Sequence, residues 1–168
     1  TDRAYACQVL LSLCETVGMR LRRDGQAGSC VTIQLRTSEF ETWSHQTRLA
    51  SATNVTGELY QAACSLLDQA WDRKTPLRQL GVSVTQLADG TLRQYSLFDA
   101  ADYARQEKLD TAVDALREKF GEGALFRAAL LHSDERMAGG LHKKRRTGIT
   151  KPIEDEAARI RKKYGNND

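Results

Sequence analysis

The stretch "SCVTIQLRTSEF", Ser29 to Phe40, decides how the rest of this chain must fold. Val31, Ile33 and Leu35 alternate with Thr32, Gln34 and Arg36. Successive side chains of a strand point to opposite faces, so this pattern predicts a strand with one buried face and one wet face. The next segment, "FETWSHQTRLAS", keeps the same period: Trp43, His45, Thr47 and Leu49 alternate with Thr42, Ser44, Gln46 and Arg48. The two strands are close enough in sequence to form a hairpin around Ser38 to Glu41. A sheet wet on one side needs a cover on the other.

That cover is legible on both sides of the hairpin. Upstream, from Asp2 to Arg23, the residues Cys7, Leu10, Cys14, Val17 and Leu21 recur at steps of three and four, a helical stripe, and Gly25 is placed to end it. Downstream, Thr53 or Asn54 offers an N-cap to a second helix with Leu59, Ala63, Leu66 and Ala70 on one face, ending near Trp71 and Asp72 before Pro76. "LRQLGVSVTQLADGTLRQYSLF" then reads as a second hairpin. Leu80, Val82 and Val84 alternate with Gln79, Gly81, Ser83 and Thr85, and Asp89-Gly90 is a strong turn signal. The order helix, two strands, helix, two strands predicts an α+β fold: a four-stranded, mostly antiparallel sheet with both helices on one face.

The uncovered face carries Thr, Gln, Ser and Arg and no acidic residue. A solvated face normally mixes both signs of charge. Neutral polar and basic residues suit a polyanion such as a nucleic-acid backbone. Periodicity alone leaves a plain wet face and a polyanion-binding face both open. The whole chain is only mildly basic, with 168 residues and a net charge of +3, so any basic surface has to come from local arrangement.

Cysteine usage excludes other classes. Cys7, Cys14, Cys30 and Cys64 form no CxxC pair and have no histidine at ligand spacing, which argues against zinc and for reduced thiols in a cytoplasmic core. No signal peptide is visible in this stretch, and no apolar run approaches the ~18 residues of a membrane span. We therefore expect no membrane association, and a monomer. The chain opens on Thr1, directly before a helical pattern, so we expect a piece of a longer protein.

Three parts are expected: residues 1–98, the sheet domain; 99–131, a helical extension; and 132–168, a basic linker with a short C-terminal helix. "DAADYARQEK" reads as a polar connector. "KLDTAVDALREKFG" reads as a helix with the stripe Leu109, Val113, Leu116 and Phe120 and a stop at Gly121, and the type of "ALFRAALL" stays undecided. In the last part Lys143 to Arg146 reads as a solvated basic run, with a nonspecific phosphate contact as the alternative, and Pro152 to Tyr164 is a helix pattern with the stripe Ile153, Ala157, Ile160 and Tyr164.

No catalytic constellation is present. "GEGALF" follows a helix and lacks the spacing of a phosphate-binding loop. His45, His132 and His142 have no motif partner, and "HSDE" (His132 to Glu135) is a carboxylate pair with nothing to complete a metal site. "RQYSLFD", Arg93 to Asp99, is different in kind. Leu97 and Phe98 are adjacent and apolar, and one sheet face can bury only one of two neighbours. The pair reads either as plugs for pockets of a partner, with Gln94 as an amide anchor, or as the end of an ordinary edge strand.

"VGMRLRRDG" (17–25), "VTIQLRTSEF" (31–40), "LRQLGVSVTQL" (77–87), "QYSLF" (94–98) and "AVDALREKFGEGALFRAALL" (112–131) occur in one order over most of the chain. In these motifs residues 2–131 resemble the C-terminal little finger domain of bacterial Y-family translesion DNA polymerases, of the DNA polymerase IV and UmuC-like, or ImpB/MucB/SamB, kind. "WSHQTRL" departs from the "TRSxTL" pattern common in polymerase IV proteins, with His45 and Gln46 in place of Arg and Ser.

The resemblance implies a DNA-binding sheet lying along the primer–template duplex and gripping phosphates during damage bypass. The residues it implies are Thr32, Gln34 and Arg36; Ser44, Gln46 and Arg48; and Arg78, Gln79, Gly81, Ser83 and Thr85. Arg78 has the parity of the core residues and is placed at the strand's start, while Gly81 would offer a backbone amide. "QYSLF" is similar to the β sliding clamp-binding motif written QLxLF: Gln94, Leu97 and Phe98 match, and Tyr95 replaces the usual Leu. The family's catalytic carboxylates lie on a palm domain with no counterpart here. The resemblance thus implies no catalysis and no cofactor in this chain, with magnesium at the missing palm of the parent polymerase. Two other readings stay open: a protein-interaction module using the sheet face, and a nucleic-acid enzyme using "HSDE" with magnesium.

Overall fold

The computed structural model describes residues 2–90, 100–121 and 124–130. α1 runs Arg3–Arg23, β1 Gln26–Thr37, β2 Thr42–Thr53, α2 Thr56–Ala70, β3 Leu77–Asp89 and α3 Ala100–Phe120, and a 3-10 turn follows at Ala128–Leu130. The sheet has the order β2-β1-β3, with both pairings antiparallel. The expected fourth strand falls within 91–99 and lies outside the described residues.

Alternation in β1 builds the core. Val31, Ile33 and Leu35 are wholly buried under Leu10 and Cys14 of α1 and Leu59, Ala63 and Leu67 of α2. Fully burying each such aliphatic side chain contributes roughly 1.5–3 kcal/mol, so this layer dominates the stability. β1 and β3 pack too closely at Gly28 for a side chain: an added Cβ would stand 2.2 Å from Val84 Cγ1.

The first helix is capped by Asp2, whose carboxylate accepts from the Ala4 amide at 2.9 Å. It ends at Asp24, with Gly25 at φ 64. The cap of α2 differs from expectation. Val55 is the N-cap residue and makes no side-chain cap bond, while the Thr56 amide donates to Asp110 Oδ2 of α3 at 2.9 Å. A distant carboxylate does the work expected of Thr53 or Asn54, because tertiary docking brings a full negative charge to the helix N-terminus.

Two further expectations for the segment after the sheet are corrected. The polar connector is helical, since α3 already begins at Ala100; "DAADYARQEK" contains no proline or glycine to prevent it. The stripe expected to be buried is not: Leu109 is 60% exposed and Phe120 65%, and Leu116 is exposed as well. α3 docks instead through Tyr103, Asp110, Asp114 and Arg117, which share a face at helical spacing.

Each of these polar groups has a partner. Tyr103 Oη donates to Asn54 Oδ1 at 3.1 Å. Arg22 of α1 donates to Asp114 at 2.6 Å and to Asp110 at 3.3 Å. Arg117 reaches buried Glu15 at 3.4 Å, and Arg127 bridges Glu15 at 2.7 Å and Asp110 at 3.0 Å. Buried charge is tolerated only when so paired. The segment left undecided, "ALFRAALL", contributes the 3-10 turn with Leu130 buried and Leu125 and Phe126 exposed.

α1 and α2 are tied at the surface by Arg3, which donates two 2.6 Å hydrogen bonds to Asp68. The hydrogen bond from Arg3 is the main cause that lowers the Asp68 carboxyl from its ordinary 3.8 to about 2.

Two predictions follow from this packing. Asp110→Ala removes the shared acceptor of Thr56, Arg22 and Arg127 and should cost about 3 kcal/mol in urea unfolding; Leu109→Ala, on the exposed side of α3, should stay within about 0.5 kcal/mol of wild type. Because the Asp68 pKa is lowered on folding, its contribution is present above the unfolded value and fades as pH falls through the folded one. Acid titration between about pH 4 and 2 should therefore destabilise the wild type more than Asp68→Asn, by less than about 1 kcal/mol because the pair is exposed.

Candidate nucleic-acid interface

The strand register assembles the open face into rows that cross the sheet. Thr42, Arg36 and Gln79 form one row, Ser44, Gln34 and Gly81 the next, then Gln46, Thr32 and Ser83, then Arg48, Cys30 and Thr85. Every predicted strand residue of the face except Arg78 thus falls in these rows. Cys30 is shielded, and the central strand otherwise offers half-buried Thr32 and Arg36 and exposed Gln34. At about 3.4 Å per residue, Thr42 and Arg48 on β2 lie roughly 20 Å apart along the strand. That length matches about six base-pair steps of a duplex at 3.4 Å each.

Arg78 reaches the site by an irregularity. The register of β1 with β3 shifts between Arg36 and Thr37: Arg36 pairs with Gln79, but Thr37 pairs with Leu77. Arg78 is the extra residue of this bulge, and bulges re-aim side chains. Its guanidinium lies 4.7 Å from the centroid of the Phe40 ring, and that of Arg36 lies 5.0 Å from the same centroid. The parity that set Arg78 apart in the sequence is therefore overcome at the strand's start.

Phe40 belongs to the β1–β2 turn. The Thr37 amide donates to Glu41 O at 2.9 Å, and the Phe40 amide donates to Thr37 O at 3.2 Å. Phe40 has φ 70, a left-handed conformation that glycine usually fills and that costs other residues about 1–2 kcal/mol. It is also 57% exposed.

At the far end, Arg48 Nε donates to Gln86 Oε1 at 2.9 Å, and Ser29 Oγ donates to the same oxygen at 3.1 Å. Gln86 is itself left-handed, with φ 54. Sequence reasoning missed Phe40 and Gln86, because strand alternation marks neither. The available signal for Phe40 was a large aromatic in a tight turn.

Most arginines off this face are paired with carboxylates; among the described residues only Arg20 and Arg105 there are not. Arg3, Arg22, Arg23, Arg73, Arg117 and Arg127 each reach a carboxylate, and none belongs to this face. Arg36, Arg48 and Arg78 reach none among the described residues, and Arg36 Nε is buried with no hydrogen-bond acceptor there. At Gly81 an added Cβ would meet only Gln34, at 3.5 Å, so the β3 backbone is accessible beside that side chain.

Other chemistry finds little support among the described residues. No three His, Cys, Asp or Glu side chains gather to hold a metal ion, and no helix is long and apolar enough to cross a membrane. Cys7 and Cys64 bring their sulfurs within 3.5 Å, but burial pushes the Cys64 thiol up to about 11 and that of Cys14 up to about 12. Thiols so perturbed stay protonated near neutrality and are poor nucleophiles. Gln94, Tyr95, Leu97 and Phe98 lie outside the described residues, as do "HSDE", the basic run and the final helix pattern.

The described residues form a layered α+β domain whose sheet leaves one face uncovered by helices and free of acidic strand residues. Residues 1–97 match the impB/mucB/samB family C-terminal domain, and the chain belongs to this family of Y-family polymerase C-terminal domains. It is 34% identical over 136 residues to a DNA polymerase IV of Clostridium acetobutylicum, covering 81% of this chain and 34% of that protein. It is 38% identical over 127 residues to DNA polymerase IV 2 of Bacillus subtilis, covering 73% of this chain and 30% of that protein. With a DNA polymerase IV of Caulobacter vibrioides the identity is 36% over 116 residues, 69% of this chain and 28% of that protein. The chain thus spans about a third of the length of these curated relatives.

Proposed function

We propose that this domain holds primer–template DNA for a translesion DNA polymerase and recruits that polymerase to the β sliding clamp. The grouping of three carboxylate-free arginines on one acid-free face carries the DNA half. Arg20 and Arg105 are also clear of carboxylates among the described residues, but each stands singly on a helix, whereas Arg36, Arg48 and Arg78 share one face with no acid among its strand residues. Phosphates satisfy them without base contacts, and the Thr, Ser and Gln side chains between them donate neutral hydrogen bonds to the same backbone. The likeness to proteins named DNA polymerase IV supports this reading, and polymerisation itself belongs to the catalytic part of the parent.

The clamp half rests on "QYSLF". In sequence the motif lies between β3, which ends at Asp89, and α3, which starts at Ala100. A peptide so short binds with affinity on the order of micromolar, about −8 kcal/mol. Simultaneous DNA binding by the sheet raises its effective concentration at the clamp.

Two measurements test the halves separately. With three unpaired arginines on the face, log K for duplex DNA should fall against log salt with a slope of about −3, and Arg36→Ala with Arg48→Ala should bring it to about −1 for any sequence. No binding at low salt would sink the DNA half, leaving a protein partner for the face. Leu97→Ala with Phe98→Ala should abolish clamp binding in calorimetry while leaving the thermal melt unchanged. If the double variant unfolds instead, the pair is core and the clamp half is wrong.

A further inference from the structure

We propose that Phe40 is a positioning residue that seats Arg36 and Arg78 as one two-guanidinium grip for a single DNA phosphate at the turn end of the sheet. The proposal rests on the DNA-holding reading and adds to it a residue that need not touch DNA.

Several independent observations converge on this corner. The β1–β3 bulge places Arg78 beside a residue it would otherwise face away from. Both guanidiniums lie within 5.0 Å of one ring centroid, inside the range of cation–π attraction. Neither has a carboxylate partner among the described residues, although Glu39 and Glu41 flank Phe40 in the same turn. Two cations brought to one ring repel each other, and they gain most when a dianion-like neighbour or a shared phosphate joins them.

The backbone points the same way. Phe40 holds a left-handed conformation that glycine adopts freely, and it leaves most of its ring in water. A large apolar side chain kept exposed in a strained conformation is not explained by folding. Such outliers concentrate where function requires them. Held against the ring, the long arginine side chains lose less freedom when phosphate binds, which is how preorganisation raises affinity.

The test uses the whole chain and a labelled DNA duplex at low salt, with thermal melts in parallel. Phe40→Gly should weaken DNA binding about tenfold, from the loss of two cation–π contacts, without lowering the melting temperature. A merely structural role would lower both together. Phe40→Trp should retain binding, and Phe40→Leu, which keeps bulk but not the π face, should lose as much as the glycine variant. In an Arg36→Gln, Arg78→Gln background, Phe40→Gly should have no further effect, the signature of a residue acting through its neighbours.

Wild-type affinity in Phe40→Leu, or an undiminished loss in the double-glutamine background, overturns the proposal. If the glycine variant fails to fold, the leucine and tryptophan variants decide alone. Failure of the wild-type chain to bind duplex removes the DNA reading itself, whereas binding that ignores Phe40 removes only the grip.

Discussion

The constraint on which everything else depends is the two-residue period of β1. As the central strand of the described sheet it is the one element that both neighbours and both covering helices must accommodate. Val31, Ile33 and Leu35 commit one face to α1 and α2, and the same geometry commits Thr32, Gln34 and Arg36 to the other. A shift of one residue in either pairing would bury the polar set and expose the aliphatic one. Burial of the core therefore also aligns the rows of the open face. The surface offered to a ligand is backed directly by the core, as the proposed grip on a stiff duplex requires.

The third helix obeys a different rule. It meets the rest of the domain through Asp110, Asp114, Arg117 and Tyr103, and its leucines point to solvent. Hydrophobic burial is not directional, but paired buried charges are: they satisfy one another in one arrangement only, so they fix orientation more than they add stability. Asp110 illustrates the point. It serves Arg22, Arg127 and the N-terminal amide of α2 at once, which ties the helix that follows the sheet to the helix that covers it.

Together these two regimes separate most of the described arginines by role. Arg3, Arg22, Arg23, Arg117 and Arg127, in or beside the helices, are taken up by carboxylates, and those on the sheet are held by soft contacts: an aromatic ring for Arg36 and Arg78, an amide oxygen for Arg48. Neutral partners orient a guanidinium without cancelling its charge. Such a face keeps a positive potential although the whole chain carries only +3.

Much of this was legible in residue order. Alternation at 31–36, 42–49 and 79–85 identified three strands and the polar face, and the stripes from Cys7 to Leu21 and from Leu59 to Ala70 identified the covering helices, because each period is a local property of the backbone. The same rule misjudged α3. Periodicity marks apolar residues for burial, and nothing local reveals that a helix will dock by its charges, whose partners Glu15, Arg22 and Asn54 lie far away in sequence. Arg78 and Phe40 were hidden for a related reason: a bulge and a left-handed turn residue re-aim side chains against the alternation that sequence reasoning relies on. The sequence by itself therefore determined the layers and which residues face out, since these follow from periods of two and 3.6. Only the tertiary structure decided where the charges meet, because an ion pair or a cation–π contact depends on distances between segments that no local period encodes.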